Sequence, residues 1–204
     1  MAKISLLLLD IGGVLLSNAW DKVSRAAGCQ RFGLDQDRYE QHHAQLVDRF
    51  ERGHLTLSQY FDGTLTDIEP GLSRAEFTEF MFSESHPLEA ALATARALAR
   101  DRVVPMAALS NESRELNEMR IRRFQLAEIF PLFFSSCYTG LRKPEPKAFQ
   151  QVLEMTRRPP EECLFVDDRA DNVATATGLG IRAVQLTDPS RLGRVLQEFG
   201  VEGG

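Results

Sequence analysis

The sequence predicts an α/β fold: a parallel sheet flanked by helices, with a small helical insertion after the first strand. Three observations carry this. Short, continuously apolar runs recur along the chain, as in strands buried on both faces. Segments with helical spacing alternate with them, which implies right-handed crossovers between parallel strands. Residues 17 to about 85 break the alternation, being rich in His, Gln, Arg and aromatics with no clear strand.

The first run, Ile4–Leu9, ends abruptly in "DIGG" at residues 10–13. Later strands are expected at Val103–Leu109, which leads into "SNES", and at Leu132–Ser136, which leads into "CYTGLRKPEP". A fourth is expected at Cys163–Val166 before "DDRADN", and a fifth at Ile181–Leu186. Between them lie helical patterns. Pro87–Arg100 is rich in Ala and Leu and opens on Pro, a favoured first-turn residue. Glu112–Phe124 has helical apolar spacing, Glu145–Thr156 carries Pro146 in its first turn, and Ala170–Leu179 stops at Gly180. The expected division is a core of residues 1–16 and 86–204 and an insertion of residues 17–85.

At 204 residues the chain can bury a sizeable core, as one domain with a small insertion. Apolar and charged contents of 43% and 26% suit a soluble globular protein. A formal net charge of −5, with no basic tail or Lys/Arg block, argues against a nucleic-acid binder. It leaves room for a phosphorylated substrate, which a few local cations or one metal can hold. Three widely spaced cysteines, Cys29, Cys137 and Cys163, make neither a disulfide framework nor a zinc site. No run reaches membrane-spanning length, and Asp10 interrupts the N-terminal apolar stretch too early for a signal sequence. The expectation is a cytoplasmic protein with no nucleic-acid or membrane partner; its oligomeric state is left open.

In an open parallel sheet, ligands bind beyond the carboxyl ends of the strands. Polar residues follow the apolar runs at those points: Asp10; Ser110 and Asn111; Lys143; Asp167 and Asp168, with Asp171 a turn later. Each has an ordinary structural explanation. Asp10 could cap a turn, Ser110-Asn111 could cap a helix, and Lys143 could be a solvated lysine. Two adjacent carboxylates at a strand end repel each other, and a cation is the natural way to hold them. Together the residues are far more specific than any one alone.

In this order the motifs resemble those of the haloacid dehalogenase-like (HAD) hydrolase superfamily. The resemblance spans nearly the whole chain and implies a Rossmann-like sheet with a small helical cap inserted after the first strand. It further implies a Mg²⁺-dependent phosphatase for a small phosphorylated metabolite, with Asp10 as the nucleophile that forms an aspartyl-phosphate. Ser110 would bind phosphoryl oxygens with Asn111 beside it, and Lys143 would neutralise charge on nucleophile and phosphate. The metal would be held by Asp10, the Gly12 carbonyl and Asp168, with Asp167 as a ligand or an outer partner and Asp171 orienting the set. One position departs from the pattern. The superfamily's phosphatases usually carry a second Asp two residues after the nucleophile, as general acid, and here that residue is Gly12. The backbone carbonyl survives the change; the proton donor, typically a factor of about 10²–10⁴ in rate, does not.

Two mimics are set aside. "FDGTL" at 61–65 would place its nucleophile at Tyr60 with no strand before it, and reads as a coincidental turn. "GLGIRA" at 178–183 precedes a strand rather than joining strand to helix, so it is no dinucleotide fingerprint. In the insertion, Arg49, Arg52 and His54 are candidate substrate contacts, although polar helix faces usually look like this; His42 and His43 are adjacent and form no metal pair. Three other functions fit the same fold. A dehalogenase would tolerate Gly12 but has no use for the metal carboxylates. A phosphonate C–P hydrolase would use a lysine Schiff base, for which Lys22 is the sole lysine of the insertion. A non-catalytic binding or regulatory protein would not need the intact nucleophile, lysine and acidic pair.

Overall fold

The computed structural model describes residues 2–65 and 73–202. Residues 66–72 of the expected insertion and the outermost termini lie outside the described residues. Five parallel strands form one sheet in the order β3-β2-β1-β4-β5. They are β1 (Leu6–Leu9), β2 (Met106–Ser110), β3 (Leu132–Ser135), β4 (Cys163–Asp167) and β5 (Arg182–Gln185). Helices α5 (Glu89–Arg100), α6 (Arg114–Arg123), α7 (Ser136–Thr139), α8 (Pro146–Thr156), α9 (Ala170–Gly178) and α10 (Leu192–Glu198) connect or follow the strands.

The unbroken leucine run has a direct explanation. Successive side chains of a strand point to opposite faces, and both faces are covered. Leu7 and Leu9 join Met106, Ala108, Leu164 and Val166 in one cluster under α5 and α10. Leu6 and Leu8 join Ala107, Phe134 and Phe165 in another, with Phe149 and Val152 of α8. A polar residue on either face would be buried without a partner.

Several boundaries fall inside the expected ones. Strand β2 begins at Met106 rather than Val103, directly after Pro105, whose carbonyl accepts from Leu7 N. Helix α5 begins at Glu89 rather than Pro87, because Pro87 pairs with Leu16 in an isolated bridge. Helix α10 carries no strong sequence signal; it is short, and Leu192 and Leu196 pack one turn apart into the core.

Between β1 and α5 lie α1 (Lys22–Phe32), α2 (Gln36–Glu51), α3 (Leu57–Thr64) and α4 (Arg74–Ser83). They surround an aromatic cluster of their own, including Tyr39, Phe50, Tyr60, Phe61 and Phe77, to which α6 adds Leu116 and Met119. "FDGTL" is the last turn of α3 and its C-cap within this helical insertion, with Phe61 facing the cluster. Both connections to the sheet meet. Ser17 N donates to the His86 carbonyl (2.9 Å) and Ser17 Oγ to the Glu84 carbonyl (2.6 Å). Buried Arg120 of α6 then donates to the Ser17 carbonyl (2.6 Å) and to Ser85 Oγ (3.1 Å) and pairs with Glu112. A charged seam on α2 makes a further contact: Arg142 reaches Asp48 (2.8 Å) and Glu51 (2.5 Å), and Arg52 reaches Glu145 and the Gly140 carbonyl. Cys29, Cys137 and Cys163 are buried free thiols. No helix among the described residues is long and apolar enough to cross a membrane.

Candidate active site

Strand register assembles the site. Leu9 lies opposite Val166, so the next residues, Asp10 and Asp167, emerge side by side at the carboxyl end of the sheet. Asp10 N still bonds the Val166 carbonyl (3.0 Å), while its Oδ1 accepts from Ile11 N (2.7 Å). Lys143, just before α8, inserts between the two acids: Nζ is 2.8 Å from Asp10 Oδ2 and 2.6 Å from Asp167 Oδ2. Its peptide bond to Pro144 is cis. Asn111 clamps the lysine's backbone, donating from Nδ2 to its carbonyl (2.8 Å) and accepting from its N–H at Oδ1 (2.9 Å).

All three charged groups are nearly excluded from water: Asp10 is 7%, Lys143 4% and Asp167 0% exposed. Burial is the main influence on Asp10 and pushes its carboxyl up to about 7; Lys143 opposes this, while Asp167 and Asp168 add to it. Burial also works against the lysine's charge, but Asp10 and Asp167 outweigh it and hold the ammonium above its usual value.

Ligand atoms of Asp10, Asp167 and Asp168 all lie within 4.8 Å of one another. One ammonium stands against three carboxyl groups, which leaves an excess of negative charge that a divalent cation would balance. The three acids are not equivalent. Asp167 Oδ1 accepts from Arg169 N (2.8 Å) and Asn172 Nδ2 (2.9 Å), and Oδ2 from Lys143 and Asn172 (3.0 Å). Asp168 receives a side-chain bond from Asn18 Nδ2 (3.2 Å) and is freer to turn toward an ion.

The cavity in front of these acids is about 390 Å³. Asp10, Gly12, Asn111, Lys143 and Asp168 line its floor; Trp20, Val47, Phe50, Met81 and Leu116 give it an apolar wall. Ser110 is buried at the end of β2, with Oγ 3.4 Å from Glu112 Oε1. The structure therefore brings together Asp10, Gly12, Asn111, Lys143, Asp167 and Asp168, whereas Ser110, at the end of the neighbouring strand, is not among the lining residues. Arg49, Arg52 and His54 are not among the lining residues. Arg49 and His54 are exposed, and Arg52 is engaged with Asp48, Glu145 and Gly140. The insertion instead presents Trp20, Lys22, Arg25, His43 and Glu51. Asp171 pairs with Arg169 (3.0 Å), and it is Asn172, one residue on, that holds Asp167. Asn18, Glu112, Arg120 and Asn172 were not singled out in the sequence. Only Asn172, in the first turn after the acidic pair, and Glu112, within "SNES", carried a local signal.

A buried carboxylate beside an ammonium, with an acidic pair next to it, suits displacement at an electrophilic centre, the work of a hydrolase. The family comparison agrees: the model of the haloacid dehalogenase-like hydrolases matches residues 4–180, and the protein belongs to that family. Among curated relatives, drimenol cyclase of Aspergillus calidoustus is 28% identical over 181 residues, covering 87% of this chain and 33% of that protein. A sesquiterpene phosphatase of Aspergillus oryzae is 34% identical over 61 residues, 30% of this chain and 31% of that one. The chain spans a third or less of the first curated relatives it matches, at 33%, 6% and 32% of their lengths. Among solved structures, a HAD family enzyme of Bacteroides thetaiotaomicron superposes with a TM-score of 0.78 at 22% identity, covering 90% of this chain and 94% of that one. An L-2-haloacid dehalogenase of Xanthobacter autotrophicus gives 0.63 at 19% identity, covering 90% and 77%. At these identities the structures establish a shared fold.

Proposed function

We propose that the protein is a Mg²⁺-dependent phosphatase that hydrolyses a small phosphate monoester through an aspartyl-phosphate on Asp10. The observation that carries this is the charge balance: Asp10, Asp167 and Asp168 converge within 4.8 Å against one ammonium. Displacement of a halide requires no cation and leaves the acidic excess without a purpose. The magnesium and phosphate complex solved for the Bacteroides enzyme, and the sesquiterpene phosphatase among the relatives, point the same way.

The residues fit a hard divalent ion. Asp10 and Asp168 with the Gly12 carbonyl would hold it, and Asp167, saturated by Lys143 and Asn172, would stand behind them. Bound there, the ion would screen the repulsion between carboxylate and phosphate oxygens. An oxygen of Asp10 attacks phosphorus, and the ester P–O bond breaks with its electron pair going to the leaving oxygen. Water then attacks the same phosphorus, the bond to Asp10 breaks, and inorganic phosphate and the free carboxylate result. Lys143 holds Asp10 in place and offsets charge on the phosphoryl group; Ser110 donates to a phosphoryl oxygen. Helices α1–α4 serve as a cap, residues 17–85, over the strand ends, and their apolar side chains face the organic part of a phosphorylated metabolite.

A panel of phosphate esters, assayed with Mg²⁺ and with chelator, tests this reading. Hydrolysis that chelator abolishes and Asp10→Asn eliminates is expected. Activity that survives chelation, or release of halide from a 2-haloacid, would overturn it.

A further inference from the structure

We propose, on the basis of the phosphatase reading above, that Asn18 hydrogen-bonds the leaving-group oxygen and so occupies the role left open by Gly12. A Cβ built on Gly12 would stand 2.7 Å from Asn18 Oδ1 and 3.7 Å from Arg120 Nη1. Position 12 meets the acceptor oxygen of the Asn18 amide, while the donor Nδ2 lies on the Asp168 side, where both residues line the cavity. Asn18 is exposed to this cavity, and its NH₂ group spends one hydrogen on Asp168 Oδ2 (3.2 Å). The second hydrogen is available to a ligand.

The backbone is shaped to put the amide there. Ala19 has a left-handed φ of 28°, which an alanine rarely adopts and which strains the backbone. The bend closes with Trp20 N bonding the Asn18 carbonyl (2.5 Å), and Arg120 fixes the preceding residue through the Ser17 carbonyl (2.6 Å). Glu112 also lines the cavity, but its carboxylate is held in an ion pair with Arg120, which favours the charged form over a proton donor.

An amide N–H stabilises developing negative charge without surrendering its proton. As the ester P–O bond breaks, the electron pair moves to the leaving oxygen, which keeps a hydrogen bond from Asn18 Nδ2 and then takes a proton from water. The substrate class follows: monoesters whose alcohol tolerates departure as an anion, such as aryl phosphates.

The test is the rate on a series of aryl phosphates whose phenols span several pKa units, measured for wild type, Asn18→Ala and the near-isosteric Asn18→Leu. Both variants are expected to lose about 10²-fold on phenyl phosphate and only a few-fold on dinitrophenyl phosphate, with the half-activating Mg²⁺ concentration unchanged. Equal losses across the series, or losses that extra Mg²⁺ restores, would assign Asn18 to orienting Asp168 and overturn the proposal while leaving the phosphatase reading intact. A wild type inert on every aryl phosphate in Mg²⁺ would overturn both.

Discussion

Lys143 Nζ lies 2.6 Å from Asp167 Oδ2 and 2.8 Å from Asp10 Oδ2, so one buried ammonium serves carboxylates from two adjacent strands. Removing it leaves two buried acids facing each other. Lys143→Met is expected to destabilise the protein by about 3–5 kcal/mol at neutral pH and to abolish turnover. Urea unfolding alongside an activity assay would show both effects; a stable, active variant contradicts the arrangement.

Gly13 and Asp168 are locked by contact. Gly13 has φ +72°, and a Cβ there would lie 2.3 Å from Asp168 Oδ2 and 2.4 Å from its Cγ. Gly13→Ala should displace that carboxylate and weaken Mg²⁺ binding, besides costing about 1–2 kcal/mol for the left-handed backbone. Calorimetric titration with Mg²⁺ and a thermal melt measure the two separately. Unaltered Mg²⁺ affinity would show that Asp168 takes no part in holding the ion.

Arg120→Met should leave Glu112 buried without a counter-charge, at a cost of about 3–5 kcal/mol. Adding Glu112→Leu should recover much of it. Denaturant midpoints of the single and double variants check this, and a double variant no more stable than the single one would mean that the hydrogen bonds to Ser17 and Ser85 dominate instead.

His43 faces the cavity and bonds Tyr60 through Nδ1 (2.8 Å). Burial, helped by Arg25 and opposed by Glu40, pushes its pKa down from 6.5 to about 4. The unfolded chain therefore binds more protons between these values, and stability falls as pH drops from about 6.5 through about 4. The loss is at most a few kcal/mol, at about 1.4 kcal/mol per pKa unit. Melting temperatures across this range, for wild type and His43→Gln, should diverge at neutral pH and converge in acid.

Gly12 has no left-handed φ, so its backbone accepts other residues; the obstacle to a side chain is the tip of Asn18. The double variant Gly12→Asp/Asn18→Ala clears that space and supplies a carboxyl. Its alkyl phosphate turnover should exceed that of the wild type, by about 10-fold or more if the carboxyl acts as an acid. Rates equal to those of Asn18→Ala alone would mean that the new group does not reach the leaving oxygen.

The main strands were legible because burial on both faces leaves a local trace: Leu6–Leu9 can alternate between two apolar clusters only if every residue is apolar. Asp10, Ser110, Lys143 and Asp167-Asp168 were legible for a related reason, since a polar group that ends such a run stands where ligands bind. The pattern was too coarse for ends that distant partners set, as at Pro87, which pairs with Leu16.

The amino-acid sequence by itself determined the parallel α/β architecture, the family motifs and the missing side chain at Gly12. Only the tertiary structure decided which insertion residues face the cavity, that Arg52 is spent on a charged seam while Trp20 and His43 line the wall. It alone placed Asn18 against Gly12 and Arg120 against Ser17, Ser85 and Glu112. The physical reason is range. Strand and helix periods act between near neighbours in the chain, whereas these contacts join residues that only the folded register brings together.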